Sequence, residues 1–279
     1  MLGGLLPGLI RDAQAAVRMS EGDARRHAQA ALAEVLNLCQ FYLAYQPDAA
    51  LLWRVAERSM AAAQESADPR AIGGAAWLLT QAHRDAGEWD AAEAVNRDVL
   101  EYLEPLLADA EDEVRAIWGA LQFEAGHTAA RRDAHGTAWG HWARADEVAA
   151  RLPADYYDRM TSFSRVIMGP HAVTLDVELR RGTDSVRAAR RTKAGLIPSR
   201  PRRGRHLIEV ARAHHLANDA VTALGTLEQA HREAPETTRY NGYAKRIVLE
   251  LTEGPPELRR RADVLADEIG RTSRSTLSR

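Results

Sequence analysis

The chain has 279 residues, of which 46% are hydrophobic, and its formal net charge is −2. This length allows one large domain or two ordinary ones, with ample apolar surface for a buried core. Cys39 is the single cysteine, so no internal disulfide can form, and the thiol suits a reducing compartment. The apolar opening is interrupted by Pro7 and stops at Arg11, which is too short for a secretion signal or a membrane span. We therefore predict a cytoplasmic protein with no membrane partner.

Helices are predicted along the whole chain. Apolar residues recur at spacings of three and four, and no stretch alternates in the manner of a β-strand. Breaks divide the chain into about twelve or thirteen helices, because proline lacks an amide donor and glycine readily ends a helix. The main breaks fall at residues 20–23, 47–48, 68–69, 109–112, 153, 181–183, 198–201, 218–219, 235 and 254–256.

One helical hairpin has a clear pattern over residues 76–99. Its first helix carries Trp77 and Leu79, a turn follows at Gly87, and the small Ala92 marks the point where the second helix crosses the first. The pattern resembles a tetratricopeptide repeat, a hairpin that buries its apolar face only by stacking on further hairpins. The resemblance implies an all-α fold: a right-handed superhelical array of antiparallel helix hairpins, or α-solenoid.

A second copy of the hairpin spans residues 207–235, and weaker copies are placed by their crossing residues. The crossing residues are Leu52, Ala92, Ala138, Ser185 and Ala223. Their separations of 38 to 47 residues exceed the 34-residue repeat, so longer helices are expected. We predict a single domain over residues 1–279. Its parts are N-terminal helices at about 5–45, degenerate hairpins at 48–235, capping helices at 236–271 and a disordered tail at 272–279.

Four segments resemble, in the same order, the helical C-terminal region of a large family of actinobacterial transcriptional regulators. They read LLPGLIRDAQAAV, FYLAYQPDAALLWRVAERSMAAA, TSFSRVIMGPHAVTLDVEL and PRRGRHLIEVARAHHLANDAVTALGTLEQAHREAP. In that family a helix-turn-helix domain of the XRE type precedes the repeats. We find no room for such a domain before Leu5 and no helix-turn-helix pattern elsewhere. DNA contact is therefore expected only through a domain absent from this chain, and the resemblance implies sensing or dimerisation in transcriptional control.

In a hairpin array of this kind, the first helix of each hairpin lines a concave groove. Our alignment of the hairpins places ten residues there: Asn37, Phe41, Trp77, Gln81, Arg84, Phe123, His127, Thr174, Arg212 and His215. Aromatic surface mixed with amide, guanidinium and imidazole groups suits an extended peptide or a small amphipathic ligand. Core packing or plain exposure is the alternative for each residue. If the groove is correct, Trp77→Ala with Arg84→Ala abolishes ligand binding and leaves helicity intact.

A strongly basic segment covers residues 180–205, with a local charge of +9. Its basic patch comprises Arg190, Arg191, Arg200, Arg202, Arg203 and Arg205. Nucleic acid would attract such a patch through counterion release, but no aromatic residue lies among the arginines to stack on bases. The alternative is an exposed connector whose arginines pair with acidic groups of the N-terminal half or of a partner subunit. This alternative agrees with the charge distribution, since residues 1–160 hold 25 acidic side chains against 15 basic ones.

The sequence predicts neither an enzyme nor a cofactor. His127, His135 and His141 cluster without the HExxH motif or paired cysteines that accompany zinc sites, and no GxSxG motif occurs. We interpret the chain as the sensory and protein-interaction domain of a bacterial transcriptional regulator. It binds a peptide or small ligand in its groove and mediates oligomerisation, for which a homodimer is one form. The alternative is a freestanding scaffold that joins protein partners without sensing a small ligand.

Overall fold

The computed structural model describes residues 2–46 and 48–270, and within these ranges every regular element is a helix. The predicted all-α class is therefore confirmed. The described residues form fourteen α-helices, one more than the highest predicted number, because the short helix Pro235–Tyr240 stands apart from its neighbours. The helices are α1 Leu2–Met19, α2 Gly22–Leu43, α3 Ala49–Ser66, α4 Pro69–Ala86, α5 Trp89–Leu103, α6 Asp112–Arg131, α7 His135–Arg151, α8 Met168–Glu178, α9 Gly182–Arg191, α10 Arg200–Leu216, α11 Ala220–Glu233, α12 Pro235–Tyr240, α13 Gly242–Leu251 and α14 Pro256–Ile269.

Short 3-10 helices lie at Glu104–Leu106, Arg165–Ile167 and Ala194–Leu196. Of the helices in the described ranges, none combines the length and the apolar character needed to cross a bilayer. The tail predicted at 272–279 lies outside the described residues.

Polar side chains and glycine set the helix ends at the predicted breaks. Asp48 accepts a hydrogen bond from the Leu51 amide at 2.9 Å, and Asp219 accepts one from the Thr222 amide at 3.1 Å. Each bond satisfies a backbone donor that the first helical turn leaves unpaired. Gly87 follows α4 with a φ of 81°, a left-handed conformation that costs glycine little.

The chain forms two compact units, Met1–Arg165 and Val166–Arg279, and the single domain expected over residues 1–279 stays a prediction. In the first unit three antiparallel hairpins follow one another, α2 with α3, α4 with α5, and α6 with α7. Helix α4 packs against both α2 and α6, so the first helices of the three hairpins are neighbours. The superhelical course of the array stays a prediction.

Small residues lie at the helix crossings of the first unit. Ala92 and Ala138 are fully buried, as their predicted crossing positions require. At the crossing of α2 and α3 the small residue is Ser59 rather than the predicted Leu52. Ser59 is fully buried and donates a hydrogen bond to the Ala33 carbonyl at 3.1 Å, whereas Leu52 is partly exposed.

The second unit contains the hairpin predicted at residues 207–235, which is formed by α10 and α11. Helix α10 also packs against α8 and α9, and α13 packs against α14. The crossing residues Ser185 and Ala223 are fully buried. Helices α10, α11, α13 and α14 contribute to one apolar cluster, in which Ile208, Leu224 and other side chains are buried.

Candidate functional site

Four predicted groove residues meet between α2 and α4 of the first unit. The ring centroids of Phe41 and Trp77 lie 6.2 Å apart, with their planes inclined at 51°. Gln81 lies one turn further along α4, and its side-chain amide donates to the Trp77 carbonyl at 3.2 Å. Asn37 lies one turn before Phe41 and is buried. Trp77 is only 3% exposed, whereas Phe41 is partly exposed, so the aromatic pair lies at the edge of the interior.

The next predicted residue, Arg84, forms a buried ion pair with Glu124 of α6. Both side chains are 5% exposed. A carboxylate and a guanidinium buried together compensate each other's charge, so this pair links α4 to α6. On the same helix α6, the rings of Phe123 and His127 stack with centroids 5.7 Å apart and planes 30° apart, and both residues are buried.

A non-helical segment that follows α7, residues 152–164, covers part of this surface, and we call it the strap. The surface it covers is the first-helix face, formed by α2, α4 and α6 around Asn37, Gly74 and Gly119. Met160 of the strap lies against two of these helices. Its Sδ is 3.9 Å from Asn37 Nδ2, and a Cβ placed on Gly74 would come within 2.6 Å of its Cε. Gly74 thus leaves a notch that holds the end of the Met160 side chain.

Phe163 occupies a second notch, on α6. The residue is completely buried, and a Cβ placed on Gly119 would overlap its ring. An aromatic ring can approach the backbone of α6 this closely only because Gly119 has no side chain. The first-helix face therefore holds two strap side chains in two separate glycine notches.

Hydrogen bonds within the strap fix its shape. The Asp158 carboxylate accepts from the amides of Met160 at 3.1 Å and Thr161 at 2.6 Å, and from the Thr161 hydroxyl at 2.7 Å. The Asp158 amide donates to the Phe163 carbonyl at 3.1 Å. Ser162 has a φ of 66°, which is uncommon for a residue with a side chain, and it closes the turn.

Arg165, directly after the strap, joins it to the end of α7. Its guanidinium donates to the carbonyls of Ala149 at 3.2 Å, Ala150 at 2.6 Å and Leu152 at 2.6 Å. The last carbonyls of a helix have no partner within the helix, and Arg165 provides donors for them. Both ends of the strap are thus tied to the same helix end.

The remaining predicted groove residues lie in the second unit. Arg212 of α10 donates to Glu178 at 2.8 Å and to Glu209 at 2.6 Å, and its guanidinium carbon lies 3.6 Å from the centroid of the Tyr243 ring. Burial lowers the pKa of Arg212, but the two carboxylates outweigh burial and raise it above its ordinary value. With its side chain 11% exposed, Arg212 is a charged crosslink between α8, α10 and α13.

Thr174 and His215 have separate local contacts. The Thr174 hydroxyl donates to the Pro170 carbonyl of its own helix at 3.2 Å, and His215 Nε2 lies 3.2 Å from a carboxylate oxygen of Glu250. The ten predicted residues are therefore divided, with seven in the first unit and three in the second.

Half of the predicted basic patch is paired inside the second unit. Arg203 Nη2 lies 2.8 Å from the Glu233 carboxylate, which Arg200 also approaches at 3.6 Å. Arg205 pairs with Glu209 at 3.1 Å. These carboxylates belong to the same unit as the arginines, whereas the sequence placed them in the N-terminal half or in a partner subunit.

Arg190 and Arg191 differ from the paired arginines. Both are exposed near the end of α9, and neither forms an ion pair with any described residue. Arg202 is partly buried and has an interaction of its own. The exposed arginines of the patch that lack an ion pair within the described ranges are therefore the two at the end of α9.

Within the described ranges there is no cluster of metal ligands, and Cys39 is buried. No group of three or more His, Cys, Asp or Glu side chains there could hold a metal ion. Burial raises the pKa of the Cys39 thiol, which keeps it protonated and unreactive. His141 Nδ1 lies 2.7 Å from Gln122 Oε1, and burial, with the charge of Arg144, lowers the pKa of His141 to about 4.

Four residues with clear geometry on this face were not predicted from the sequence: Gly74, Gly119, Met160 and Phe163. Glycine inside a helix is less stable than alanine by about 1 kcal/mol, so glycines within buried helices are a signal of close approach. The strap itself has no helical or strand periodicity. It could be identified only as an aromatic-containing gap between two helices.

Comparison with known proteins gives this chain no family. No family model matches it, and no curated protein matches it. Among solved structures it is similar to BtubC (BKLC) from P. vanneervenii, with 17% sequence identity and a TM-score of 0.49. That similarity covers 85% of this chain and 93% of the other.

Proposed function

We propose that this chain is a non-enzymatic interaction module of helix hairpins, whose first-helix face binds a non-helical segment of a partner protein. The observation that carries the proposal is the strap, since the face already holds a non-helical stretch of polypeptide by two side chains in glycine notches. Pockets that take individual side chains of a bound segment are a common basis of specificity in peptide recognition.

In the cell the module acts as the sensory part of a bacterial transcriptional regulator and assists oligomerisation. The resemblance of four segments to the helical region of such regulators supports this role. Binding of the partner segment favours one arrangement of the hairpins, and so changes how a DNA-binding module is presented. The ligand changes that equilibrium only as far as it binds one arrangement more tightly than the other.

Site-specific photo-crosslinking in the native host tests the binding function. A photoreactive amino acid replaces Gln81, which is partly exposed on α4, and Tyr102, which is 41% exposed on α5, is replaced as the matched control. We expect one partner protein to crosslink at position 81 and not at position 102. Equal capture at both positions, or none at position 81, contradicts the proposal.

A chromatin immunoprecipitation of the tagged chain tests the regulatory role separately. We expect enrichment at promoters, through the partner or an attached domain, that is lost when the captured partner is deleted. If a partner is captured but no promoter is enriched, the chain is a freestanding scaffold rather than part of a regulator.

A further inference from the structure

We propose that the strap is an internal occupant of the partner site and that it shows the chemistry of the partner's segment. This inference rests on the proposed function and specifies its ligand. The partner segment carries a long unbranched apolar side chain, followed three residues later by an aromatic ring, as Met160 and Phe163 do. It binds when the strap leaves the first-helix face.

The two notches select these two kinds of side chain. Over Gly74, Met160 places both Cε and Sδ close to the helix backbone, at 2.6 and 3.4 Å from the position of an added Cβ. A slender, flexible thioether fits so narrow a space. Over Gly119, three ring atoms of Phe163 face the backbone, and the ring is completely buried. A flat ring fills this notch, and buried aromatic side chains are frequent anchors of protein interfaces.

The strap can leave as a folded turn. Its shaping hydrogen bonds join Asp158 to Thr161 and Phe163, all within the strap. Its contacts with Gly74 and Gly119 are apolar, and its contact with Asn37 is a long amide–sulfur approach of 3.9 Å. Release requires Met160 and Phe163 to withdraw from their notches, and it exposes the buried residues Thr161 and Ser162 and the hydrogen bonds of the strap to water.

The strap competes with the partner because it is tethered beside the face. A short tether gives a bound segment an effective concentration of the order of millimolar. An added peptide must displace that segment, so its apparent affinity for the native chain is reduced. Emptying the notches removes the competition.

Fluorescence anisotropy with a labelled peptide tests the inference. The probe covers residues 155–165, DYYDRMTSFSR, which contain most of the strap and the following Arg165. It is titrated against the full chain and against the full chain carrying Met160→Ala with Phe163→Ala. We expect at least about tenfold tighter binding to the double variant, because the tethered competitor no longer fills the site. A peptide with alanine at both anchor positions is expected to bind at least about tenfold more weakly, since tenfold corresponds to about 1.4 kcal/mol of lost contact.

Two glycine substitutions in the double variant locate the binding. Gly119→Ala fills the second notch and is expected to abolish peptide binding. Gly140→Ala on α7 adds a Cβ that meets no atom within 4 Å, so it is the matched control and leaves the affinity unchanged. The inference is overturned if Gly119→Ala leaves the peptide affinity unchanged, or if the folded double variant binds no peptide.

Hydrogen exchange of the native chain provides a second measurement, for the case in which loss of the buried Phe163 ring prevents folding. Saturating peptide is expected to raise the exchange rate of the Thr161 and Phe163 amides severalfold and to leave amides of α5 unchanged. Unchanged strap exchange at millimolar peptide overturns the inference. If a partner still crosslinks at position 81, the module function stands and the strap is structural.

A second copy of the chain is the other occupant that this experiment distinguishes. Size-exclusion chromatography at rising protein concentration is expected to show no dimer that depends on the notches. If a dimer forms and Gly119→Ala abolishes it, the occupant of the face is the strap of a second copy rather than a partner protein. That result overturns the assignment.

Discussion

Phe163 packs against the α-carbon of Gly119, at the point where any other residue of α6 would place its Cβ. We expect Gly119→Ala to destabilise the chain by about 1–3 kcal/mol, because the added methyl group displaces a completely buried ring. Urea unfolding followed by circular dichroism measures this change.

Gly140→Ala is the control for the same substitution in another helix. Gly140 is exposed on α7 with open space around its Cα, so alanine is expected to stabilise the chain by up to about 1 kcal/mol. Equal stability changes for the two variants would show that the Gly119 notch is not occupied by the Phe163 ring.

The buried pair Arg84–Glu124 gives a second prediction. Arg84→Met leaves the Glu124 carboxylate buried without its guanidinium, which is expected to cost about 3–5 kcal/mol. The double variant Arg84→Met with Glu124→Leu is expected to recover most of that loss, since it buries no charge. Denaturant titration of the two variants measures the recovery, and a double variant no more stable than the single one contradicts it.

This pair also changes the expectation for Trp77→Ala combined with Arg84→Ala. Both residues are buried, so the double variant removes a large core side chain and uncovers a buried carboxylate. Its loss of ligand binding would accompany loss of stability. Substitutions in the notches test binding more directly.

Arg203 and Arg190 are expected to respond differently to alanine. The Arg203 side chain bonds the Glu233 carboxylate at 2.9 Å and the carbonyl of Ile197 at 2.6 Å. Arg203→Ala is therefore expected to cost about 1–3 kcal/mol, while Arg190→Ala leaves the unfolding midpoint unchanged. Thermal denaturation compares the two, and equal midpoints would contradict the pairing.

The same pairing bears on nucleic acid. We expect no binding of random duplex DNA at micromolar protein, even at low salt, because Arg200, Arg203 and Arg205 are engaged by carboxylates. Electrophoretic mobility shift at several salt concentrations measures this. An affinity that falls steeply with salt and disappears in Arg190→Ala with Arg191→Ala would assign DNA contact to the end of α9.

His206 predicts a loss of stability in acid. Burial lowers its pKa to about 4, although the charge of Glu209 acts in the opposite direction. An unfolded histidine titrates near 6.5, so between these values the unfolded chain binds more protons and stability falls as the pH falls. His206→Gln is expected to remove about 2 kcal/mol of the stability difference between pH 7 and pH 5. Urea unfolding at both pH values measures the slope, and an unchanged slope contradicts the assignment.

Local features of the fold could be predicted from sequence because their causes are local. Gly87 ends α4, Asp48 begins α3, and Ala92 is buried at a crossing, as turn chemistry and residue size indicate. Each depends on a few neighbouring residues. Even the wrong crossing residue, Leu52, lies within two helical turns of Ser59, which occupies the crossing.

The candidate site could be predicted only in part, because its partners come from distant segments. The pattern identified Arg84 and Arg212 but not Glu124 or Glu178, which lie 40 and 34 residues away from them. Periodicity places a side chain on a face without saying what covers that face. The strap has no periodicity, so its position over Asn37 follows only from the tertiary structure.

The Gly119 notch makes positions 119 and 163 a volume pair. In any homologue whose strap packs on the first-helix face, a residue larger than glycine at the first position requires a residue smaller than phenylalanine at the second. Paired substitutions of this kind at positions 119 and 163 in aligned homologous sequences would therefore identify the contact without any coordinates.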